Sequence, residues 1–427
     1  MLDIRYLREN TADAKRRLLA KGCDASAEID RILELYDLRR AAATSTDSKR
    51  SEQNKVSKEM PQLKKQGTDV SGLLEKMKAL SDEIKADEAR IRELESEYYS
   101  LMLGLYNLPD EDLKPGGKEN NEPIRTFGYQ KVLEFEPKHH VDLCTKLGLI
   151  DYERGTKLAG NGFWVYRGLG ARLEWALLNY FIDTHIANGY EFTLLPLMLE
   201  YECGVTAGQF PKFADEVFQI ANPTDERVHY MLPTAEAALV NLHRGELLSE
   251  RELPRKYISY SPCFRREAGS YRASERGMVR GHQFNKVEMF QFTTPESSDA
   301  AFDELVTHAE NLVQGLGLHF RTVKLAAGDC SAAMARTYDI EVRLPSLDGF
   351  IEVSSVSNSR DYPARRGAIR FRRDPDNKID LVHTLNGSGL ATSRIFPAIV
   401  EQYQQADGSV VVPEVLRRYL GGLEVIS

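Results

Sequence analysis

The chain has 427 residues, of which 42% are hydrophobic and 28% are charged. This is the composition of a folded globular protein, and the length allows two or three domains of about 100 to 200 residues. No apolar run approaches the roughly 20 residues of a membrane-spanning helix. The charged N-terminus lacks a secretion signal, so we predict a cytoplasmic protein that does not bind membranes.

The net charge of −8 argues against a protein that coats nucleic acid indiscriminately, because phosphate binding depends on clustered Lys and Arg. Any contact with nucleic acid must therefore come from local basic patches. The cysteines are odd in number and widely spaced, which disfavours a disulfide framework and a CxxC zinc site. No zinc is expected from these positions, which are Cys23, Cys144, Cys203, Cys263 and Cys330.

A long helical segment is predicted between residues 27 and 105, which are rich in helix formers and charge. Its second half has apolar residues at alternating spacings of three and four, with Asp87 as the one polar interruption, and this is the pattern of a coiled coil. These residues are Met77, Leu80, Ile84, Ile91, Leu94, Tyr98, Leu101 and Leu105. Gly67-Thr68-Asp69 supplies a turn, so we predict an antiparallel helical hairpin whose first arm is kinked or frayed at Pro61.

The first arm of this hairpin is the more basic one. Eight basic residues against three acidic ones lie between Arg39 and Lys65, whereas residues 75–97 are net acidic. The first arm is therefore the better candidate for contact with a phosphate backbone. A solvated charged face, or a hairpin used only for dimerisation or docking, is the alternative.

The sequence changes character after a boundary near residues 107–110 and a turn-rich stretch at 114–123. Strand-like runs then alternate with helical ones, which predicts an α+β domain built on a mostly antiparallel sheet. We predict a helical arm at 1–108, a linker with the start of the second domain at 109–165, and the α+β domain at 166–427. Neither GxxxxGK[ST] nor a strand-linked GxGxxG is present, so strands and side chains must hold any nucleotide.

The most informative stretch runs from Cys263 to Phe290 and reads as strand, charged loop, strand. Residues two apart on a strand share a face, which would aim Arg265 and Glu267 together, and likewise Phe284 and Glu288. A guanidinium can grip a phosphate, an aromatic ring can stack on a purine, and a carboxylate can hold an ammonium. This inventory fits ATP bound beside an amino acid.

The stretch resembles motif 2 of the class II aminoacyl-tRNA synthetases, in the form found in seryl-tRNA synthetases. Each further match is weak alone, since Thr-Ala-Glu is most often a helix start and Gly-Ser-Gly a turn. Their order along one chain favours the family. The matches are motif 1 at Gly170–Glu174 with Gly189-Tyr190 and Leu195-Pro196, then Leu232–Glu236, Phe350–Ser355, and motif 3 at His383–Leu390 with Arg394.

The resemblance implies an antiparallel class II catalytic domain, a homodimer formed through motif 1, and ATP-dependent activation of serine with Mg²⁺. The serine would then be transferred to tRNA(Ser), with tRNA(Sec) as a possible second acceptor. It implies catalytic roles for Arg265, Glu352 and Arg394. The implied serine-binding residues are Thr234, Ala235, Glu236, Arg265, Glu288, Asn386 and Ser388. The implied ATP-binding residues are Arg265, Arg266, Glu267, Arg280, Phe284, Glu352, Val353, Ser354, Ser355 and Arg394.

Glu352 and Ser355 would also meet the magnesium ion, which prefers hard oxygen ligands. Simple alternation along a strand places these two side chains on opposite faces. A bulge or the end of the strand must bring them together, or only one of them is a direct ligand.

The chain departs from the family pattern at a few positions near the expected site. They are Arg266, Cys330, Ser331, Val356 and Pro397, the last inside the motif 3 helix. These departures suggest one rival, a divergent duplicate with altered inhibitor sensitivity, an antibiotic-pathway role or another acceptor. A second rival is a catalytically silent, tRNA-binding relative.

Overall fold

The structure is a computed structural model that describes residues 1–67, 69–129, 133–221, 228–267 and 277–427. It divides into two compact units. The first contains Leu2–Leu19 and Asp24–Leu105, and the second contains Met1, Ala20–Cys23 and Tyr106–Ser427. Within the described ranges, no helix has the length and apolar character needed to span a bilayer.

The first unit is helical. Its helices are α1 (Ile4–Glu9), α2 (Thr11–Ala20), α3 (Ser26–Lys65) and α4 (Ser71–Gly104). Helices α3 and α4 form the predicted antiparallel hairpin, with Ile32, Leu80 and Ile84 buried. Helix α3 continues through Pro61 to Lys65, so the first arm does not fray at this proline. Thr68, in the predicted turn, lies outside the described residues.

Ion pairs between α3 and α4 neutralise part of the predicted basic arm. They join Arg31 to Glu97, Arg39 to Glu95, Lys49 to Glu83 and Asp87, Arg50 to Glu88, and Glu52 to Lys76. As residue numbers increase along α3, those of the partners on α4 decrease, which establishes the antiparallel pairing. The exposed cations of α3 that have no ion pair within the described part of the chain include Lys55, Lys58, Lys64 and Lys65.

The second unit is α+β, as predicted. Its helices are α5 (His140–Lys146), α6 (Tyr152–Ala159), α7 (Leu169–Ala187), α8 (Tyr201–Ala207), α9 (Glu236–Leu239), α10 (Ser298–Gly315), α11 (Tyr362–Gly367), α12 (Thr392–Gln402) and α13 (Glu414–Arg417). Its strands are β1 (Glu122–Phe127), β2 (Ile150–Asp151), β3 (Val165–Tyr166), β4 (Glu191–Thr193), β5 (Met198–Glu200), β6 (Gln219–Ile220), β7 (His229–Met231), β8 (Leu247–Ser249), β9 (Arg255–Phe264), β10 (Gln283–Thr293), β11 (Phe320–Lys324), β12 (Arg336–Leu344), β13 (Gly349–Arg360), β14 (Arg370–Arg372), β15 (Ile379–Leu381), β16 (His383–Ala391), β17 (Val410–Val411) and β18 (Val425–Ile426).

The main sheet joins its strands in the order β1-β11-β12-β13-β16-β10-β9-β4. Its pairings are antiparallel except for the parallel edge pair β4 and β9. One face packs against α7, α10 and α12 through buried residues such as Phe181, Leu305 and Ile399. Because this face holds the apolar core, the polar residues of the same strands collect on the opposite face.

Candidate active site

The polar face of the main sheet forms the floor of a cleft of about 820 Å³. Four adjacent strands contribute side chains to it, mostly at alternate positions, as expected when one face of a sheet lines a cleft. The floor residues are Thr337, Asp339 and Glu341 on β12, Phe350, Glu352, Ser355 and Ser357 on β13, Asn386 and Ser388 on β16, and Lys286 and Glu288 on β10.

A bulge in β13 explains how Glu352 and Ser355 face the same cleft. Ile340 pairs with Ser354 and Glu341 pairs with Glu352, so Val353 has no partner on β12. The extra residue shifts the alternation by one position. The Val353 side chain consequently lies in the apolar core, only 1% exposed, while Glu352 and Ser355 both line the cleft.

Arg265, Arg394 and Glu352 come from three distant parts of the chain and line this one cleft. The Nη1 atom of Arg394 lies 3.1 Å from Oε1 of Glu352 and donates a hydrogen bond of 2.9 Å to the Glu352 carbonyl oxygen. Burial would raise the pKa of Glu352, but the guanidiniums of Arg394 and Arg265 outweigh that effect and lower it. The carboxylate is thus held ionised beside two fixed positive charges.

The predicted geometry of the Arg265 and Glu267 pair was wrong in detail. Strand β9 ends at Phe264, and Glu267 adopts a left-handed φ of 49°. Arg265 instead follows the strand, with its Nε donating to the Pro233 carbonyl oxygen at 3.2 Å and its guanidinium 5.3 Å from the centre of the Phe284 ring.

Arg280 and Glu267 form an ion pair with 2.5 Å between Nη1 and Oε2. Both residues line the cleft, and both also line a smaller adjoining pocket together with Phe284 and Val353. The loop between the two strands, residues 268–276, lies outside the described residues.

A buried polar cluster closes one end of the cleft. The Nζ atom of Lys286 donates to Oγ1 of Thr234 at 2.7 Å and lies 2.6 Å from Oε2 of Glu288. Asn386 donates from Nδ2 to Oε1 of Glu288 at 3.0 Å. Burial raises the pKa of Glu236 to about 8, and the nearby charge of Glu288 adds to the effect. The cluster thus combines a short hydroxyl, an amide and two carboxylates, groups that suit a small polar cation.

Asp339 extends the acidic part of the floor and was not among the predicted site residues. It pairs in register with Ser355 on β13, and its Oδ1 atom is buried without a hydrogen-bond partner among the described residues. Burial, with the charge of Glu352 next, raises the pKa of Asp339 well above its usual value. A cation bound near Glu352 would remove this repulsion, so the donor set of Asp339, Glu352 and Ser355 fits a hard divalent ion.

A second group with metal-ligand chemistry consists of His139, His140 and Glu401, whose ligand atoms lie within 4.8 Å of one another. Glu401 already accepts hydrogen bonds from His140 Nδ1 at 2.8 Å, the His140 amide at 3.0 Å and the Ser346 amide at 3.0 Å. Both oxygens of this carboxylate are thus engaged by the protein itself, which indicates a structural role.

Some predicted site residues do not line the cleft. Ala235 is fully buried, and the Oγ atom of Ser354 donates to the Ser388 carbonyl oxygen at 2.6 Å, beneath the floor. Arg266 turns away, because its Nη1 donates to the carbonyl oxygen of Asp215 at 2.9 Å. Ala235 and Ser354 therefore shape the site through the backbone rather than through side-chain contact.

The other departures from the family pattern are mostly core positions. Val356 is buried beneath Gly387, where an added Cβ would lie 3.1 Å from the Val356 Cγ2 atom. Cys330 is buried, whereas Ser331 lines the cleft. Pro397 lies inside α12, which continues past it to Gln402. Of these, only Ser331 offers a side chain to the cleft.

Sequence reasoning also missed Lys286, whose side chain is only 5% exposed. The signal was available, since Lys286 lies two residues before Glu288 on one strand and must share its face. A buried lysine beside a predicted site carboxylate is an expected counter-ion.

Comparison with known proteins agrees with this arrangement. The seryl-tRNA synthetase N-terminal domain family matches residues 1–109, and the tRNA synthetase class II core domain (G, H, P, S and T) matches residues 218–403. The chain is 55% identical over 423 residues to serine–tRNA ligase 2 of Clostridium acetobutylicum, with 99% of each chain covered.

Two solved structures extend the likeness to the fold. The seryl-tRNA synthetase of Pyrococcus horikoshii, complexed with ATP, superposes with a TM-score of 0.94 at 33% identity, over 100% of this chain and 99% of that one. The cytoplasmic serine–tRNA ligase of Naegleria fowleri, complexed with AMP, gives 0.87 at 30% identity with the same coverage. The chain therefore belongs to the seryl-tRNA synthetase family of class II aminoacyl-tRNA synthetases.

Proposed function

We propose that this protein activates serine with ATP and transfers it to the 3′ end of tRNA(Ser). The observation that carries the proposal is the meeting of Arg265, Arg394 and Glu352 in one cleft, next to a buried polar cluster. A catalytically silent relative would have no need to keep two guanidiniums and a carboxylate together at the cost of desolvating them. No observation favours a different substrate.

In the first step the serine carboxylate attacks the α-phosphate of ATP, the bond to the β-phosphate breaks, and pyrophosphate leaves. In the second, a terminal ribose hydroxyl of tRNA attacks the carbonyl carbon of seryl-adenylate, and AMP leaves. No side-chain nucleophile is needed. The protein aligns the two reactants and stabilises the charge that develops on the phosphate, each effect contributing several kcal/mol.

In this mechanism Arg265 steadies the α-phosphate and the serine carboxylate, while Phe284 stacks on the adenine. Arg394 and Arg280 bind the outer phosphates. Glu267 accepts from the adenine amine, for which its ion pair with Arg280 must open or be shared, because the two side chains are in contact without ligand.

Glu352 and Ser355 would hold Mg²⁺, with Asp339 as a further oxygen donor. The unpartnered Asp339 oxygen and the repulsion between its carboxylate and that of Glu352 support this assignment. The ion, when bound, would neutralise phosphate charge.

Serine would lie in the cluster of Thr234, Glu236, Glu288, Asn386 and Ser388. A carboxylate would hold its ammonium group, and the remaining acceptors and donors would pair with its hydroxyl. A site with buried partners for a hydroxyl rejects an analogue that lacks one, because those partners are then left unsatisfied.

Amino-acid-dependent exchange of pyrophosphate into ATP tests the proposed function. We expect exchange with serine, and a preference for serine over alanine of order 10⁴ in kcat/KM. Threonine and cysteine serve as the near neighbours in size. A chain that exchanges with none of these amino acids, while retaining its fold, would be a silent relative.

Lys286→Met should raise the KM for serine by at least about tenfold, equivalent to about 1.4 kcal/mol, because Thr234 and Glu288 lose the ammonium that positions them. Its melting temperature should fall, since removing one partner leaves a buried carboxylate unpaired. The double variant Lys286→Met with Glu288→Gln should recover stability but not serine affinity. An unchanged KM for serine in Lys286→Met would exclude this role.

We propose that the helical unit binds tRNA through the unpaired cations of α3. Lys55, Lys58, Lys64 and Lys65 are exposed, whereas Arg39, Lys49 and Arg50 are neutralised by α4. Phosphates are drawn to clustered cations that lack a protein counter-ion.

We further propose a homodimer formed through α7 and β4, the region that resembles motif 1. Trp175 and Ile186 on α7, and Phe192 and Leu194 at β4, are large apolar side chains exposed to solvent. Strand β4 is also a sheet edge with unpaired backbone groups. Exposed apolar surface of this kind is typical of an interface, and sedimentation equilibrium should give twice the mass of the chain.

A further inference from the structure

One wall of the cleft is a segment without regular structure, residues 331–335, which directly precedes β12. Ser331, Ala333 and Met334 line the cleft. Because the segment is not part of the sheet ladder, its position depends on the hydrogen bonds of its backbone, one of which runs from the Ala335 amide to the Asn358 carbonyl oxygen on β13 at 2.9 Å.

Donors from two remote stretches of the chain bind four consecutive carbonyl oxygens of this wall. Ala332 accepts from the Asn107 amide at 2.8 Å, and Ala335 accepts from the Asp110 amide at 2.9 Å. Ala333 accepts from Asn107 Nδ2 at 2.9 Å, and Met334 accepts from Lys21 Nζ at 2.6 Å. The Nζ atom of Lys21 also lies 3.4 Å from the carbonyl oxygens of Asn107 and Ala332, which ties the two donor stretches together.

Lys21 is an unusual residue for a purely structural role. Its side chain is only 4% exposed, and no carboxylate pairs with it in the described part of the chain. Its other neighbours are the Tyr106 ring, 6.0 Å away, and Lys212, whose Nζ lies 3.1 Å from the centre of the same ring. Burial lowers the pKa of Lys21 to about 7. Burying a cation without a counter-ion costs stability, and the contacts of Nζ with three backbone carbonyl oxygens must offset that cost.

The donors lie close to the boundaries between the two units. Lys21 belongs to Ala20–Cys23, and Asn107 follows Tyr106, where the chain re-enters the second unit. Both stretches lie at places where the polypeptide passes between the helical unit and the α+β unit. The carbonyl oxygens of the wall are thus bound by residues at these connections.

We propose that Lys21 is a positioning residue for the serine and ATP cleft, which it serves by fixing the 331–335 wall to the two inter-unit connections. It touches neither substrate. The proposal rests on the function proposed above for the cleft, because a displaced wall matters only if ligands bind against it. Loss of the ammonium frees the carbonyl of Met334 and weakens the link between the connections, which loosens the wall.

Lys21→Met tests this, since methionine keeps the length of the side chain and removes its donor and charge. We expect the KM for both serine and ATP in pyrophosphate exchange to rise at least fivefold, with kcat within threefold of the unsubstituted protein. Reactive groups elsewhere in the cleft stay in place, and the loss is one of ground-state binding. A lysine that only stabilised the fold would lower the melting temperature and leave both KM values unchanged.

Lys324→Met is the matched control. Its Nζ binds Asp112 in the same linker, at 2.7 Å from Oδ2, but makes no bond to the wall. Both KM values should stay within twofold in this variant. Equal effects of the two substitutions would overturn the proposal, as would unchanged KM values in Lys21→Met.

Hydrogen–deuterium exchange separates this proposal from the proposed function, because it needs no activity. Peptides covering residues 331–335 should exchange faster in Lys21→Met than in Lys324→Met, even if the protein fails to activate serine. Should Lys21→Met not fold, Asn107→Ala, which removes the bond to the Ala333 carbonyl, is measured in the same way. Unchanged exchange in the wall would overturn the proposal in either variant.

Discussion

Arg265→Ala is expected to lower serine-dependent pyrophosphate exchange by a factor of about 10³ in kcat, while the protein stays folded. Removing one preorganised donor to charge that develops in a transition state commonly costs 10²- to 10³-fold. Arg265 is proposed to contact both the α-phosphate and the serine carboxylate, so the loss should lie at the upper end. Among the described residues, its side chain makes one hydrogen bond, to the Pro233 carbonyl, so little of the fold depends on it.

The matched control is Arg251→Ala. Arg251 is an exposed arginine that pairs with Asp374 outside the residues lining the cleft. The rate of serine-dependent pyrophosphate exchange should be unchanged in this variant. Exchange by Arg265→Ala within threefold of the unsubstituted protein would remove Arg265 from the mechanism, and with it the reading of the cleft as an adenylate site.

Replacing residues 47–83 with a short Gly-Ser turn should separate the two steps of the reaction. The two arms are neighbours at this level of the hairpin, since the Nζ atom of Lys49 on α3 lies 3.0 Å from Oε2 of Glu83 on α4. Adenylate formation takes place in the α+β unit and should stay within threefold. Charging of tRNA(Ser) should fall by at least about 10²-fold, because the phosphate contacts proposed for α3 are lost. Equal loss of both activities would mean that the arm is structural.

A full-length variant tests whether tRNA charging depends on the charge of the arm or on its shape. Changing Lys55, Lys58, Lys64 and Lys65 to alanine removes the unpaired cations and leaves the ion pairs between α3 and α4 intact. The KM for tRNA should rise and depend less on salt, since fewer counter-ions are displaced on binding. Lys76→Ala is the control, because Lys76 is already paired with Glu52. If the KM for tRNA rises no more in the quadruple variant than in Lys76→Ala, the shape of the arm rather than its unpaired cations determines tRNA binding.

The main features of the fold could be predicted from sequence because they follow from periodicity. The heptad-like spacing from Met77 to Leu105 marked the second arm of the hairpin. Alternating strands and helices after residue 123 indicated an α+β domain. The turn at residues 67–69 gave the antiparallel direction, and the family motifs indicated which strands carry polar side chains.

Features that depend on pairing across the structure could not be predicted in the same way. Which cations of α3 remain unpaired depends on the register against α4, and the sequence alone does not fix this register. Alternation aimed Arg265 and Glu267 together, but β9 ends one residue earlier and Glu267 has a positive φ. The contacts of Lys21 with Met334 join positions more than 300 residues apart. No local sequence pattern predicts such a contact.

The unpaired Val353 in β13 makes the direction of Glu352 a matter of residue count rather than of residue type. A conservative change such as Val353→Ile keeps the number of residues between Glu352 and Ser355 and therefore keeps both side chains on the same side. Deleting Val353 would instead remove the bulge, and Glu352 and Ser355 would then be two residues apart, a spacing at which regular alternation also keeps both side chains on one face. When related sequences are aligned, a one-residue gap at Val353 therefore means a strand without this bulge, and it is compatible with the same placement of Glu and Ser in the cleft.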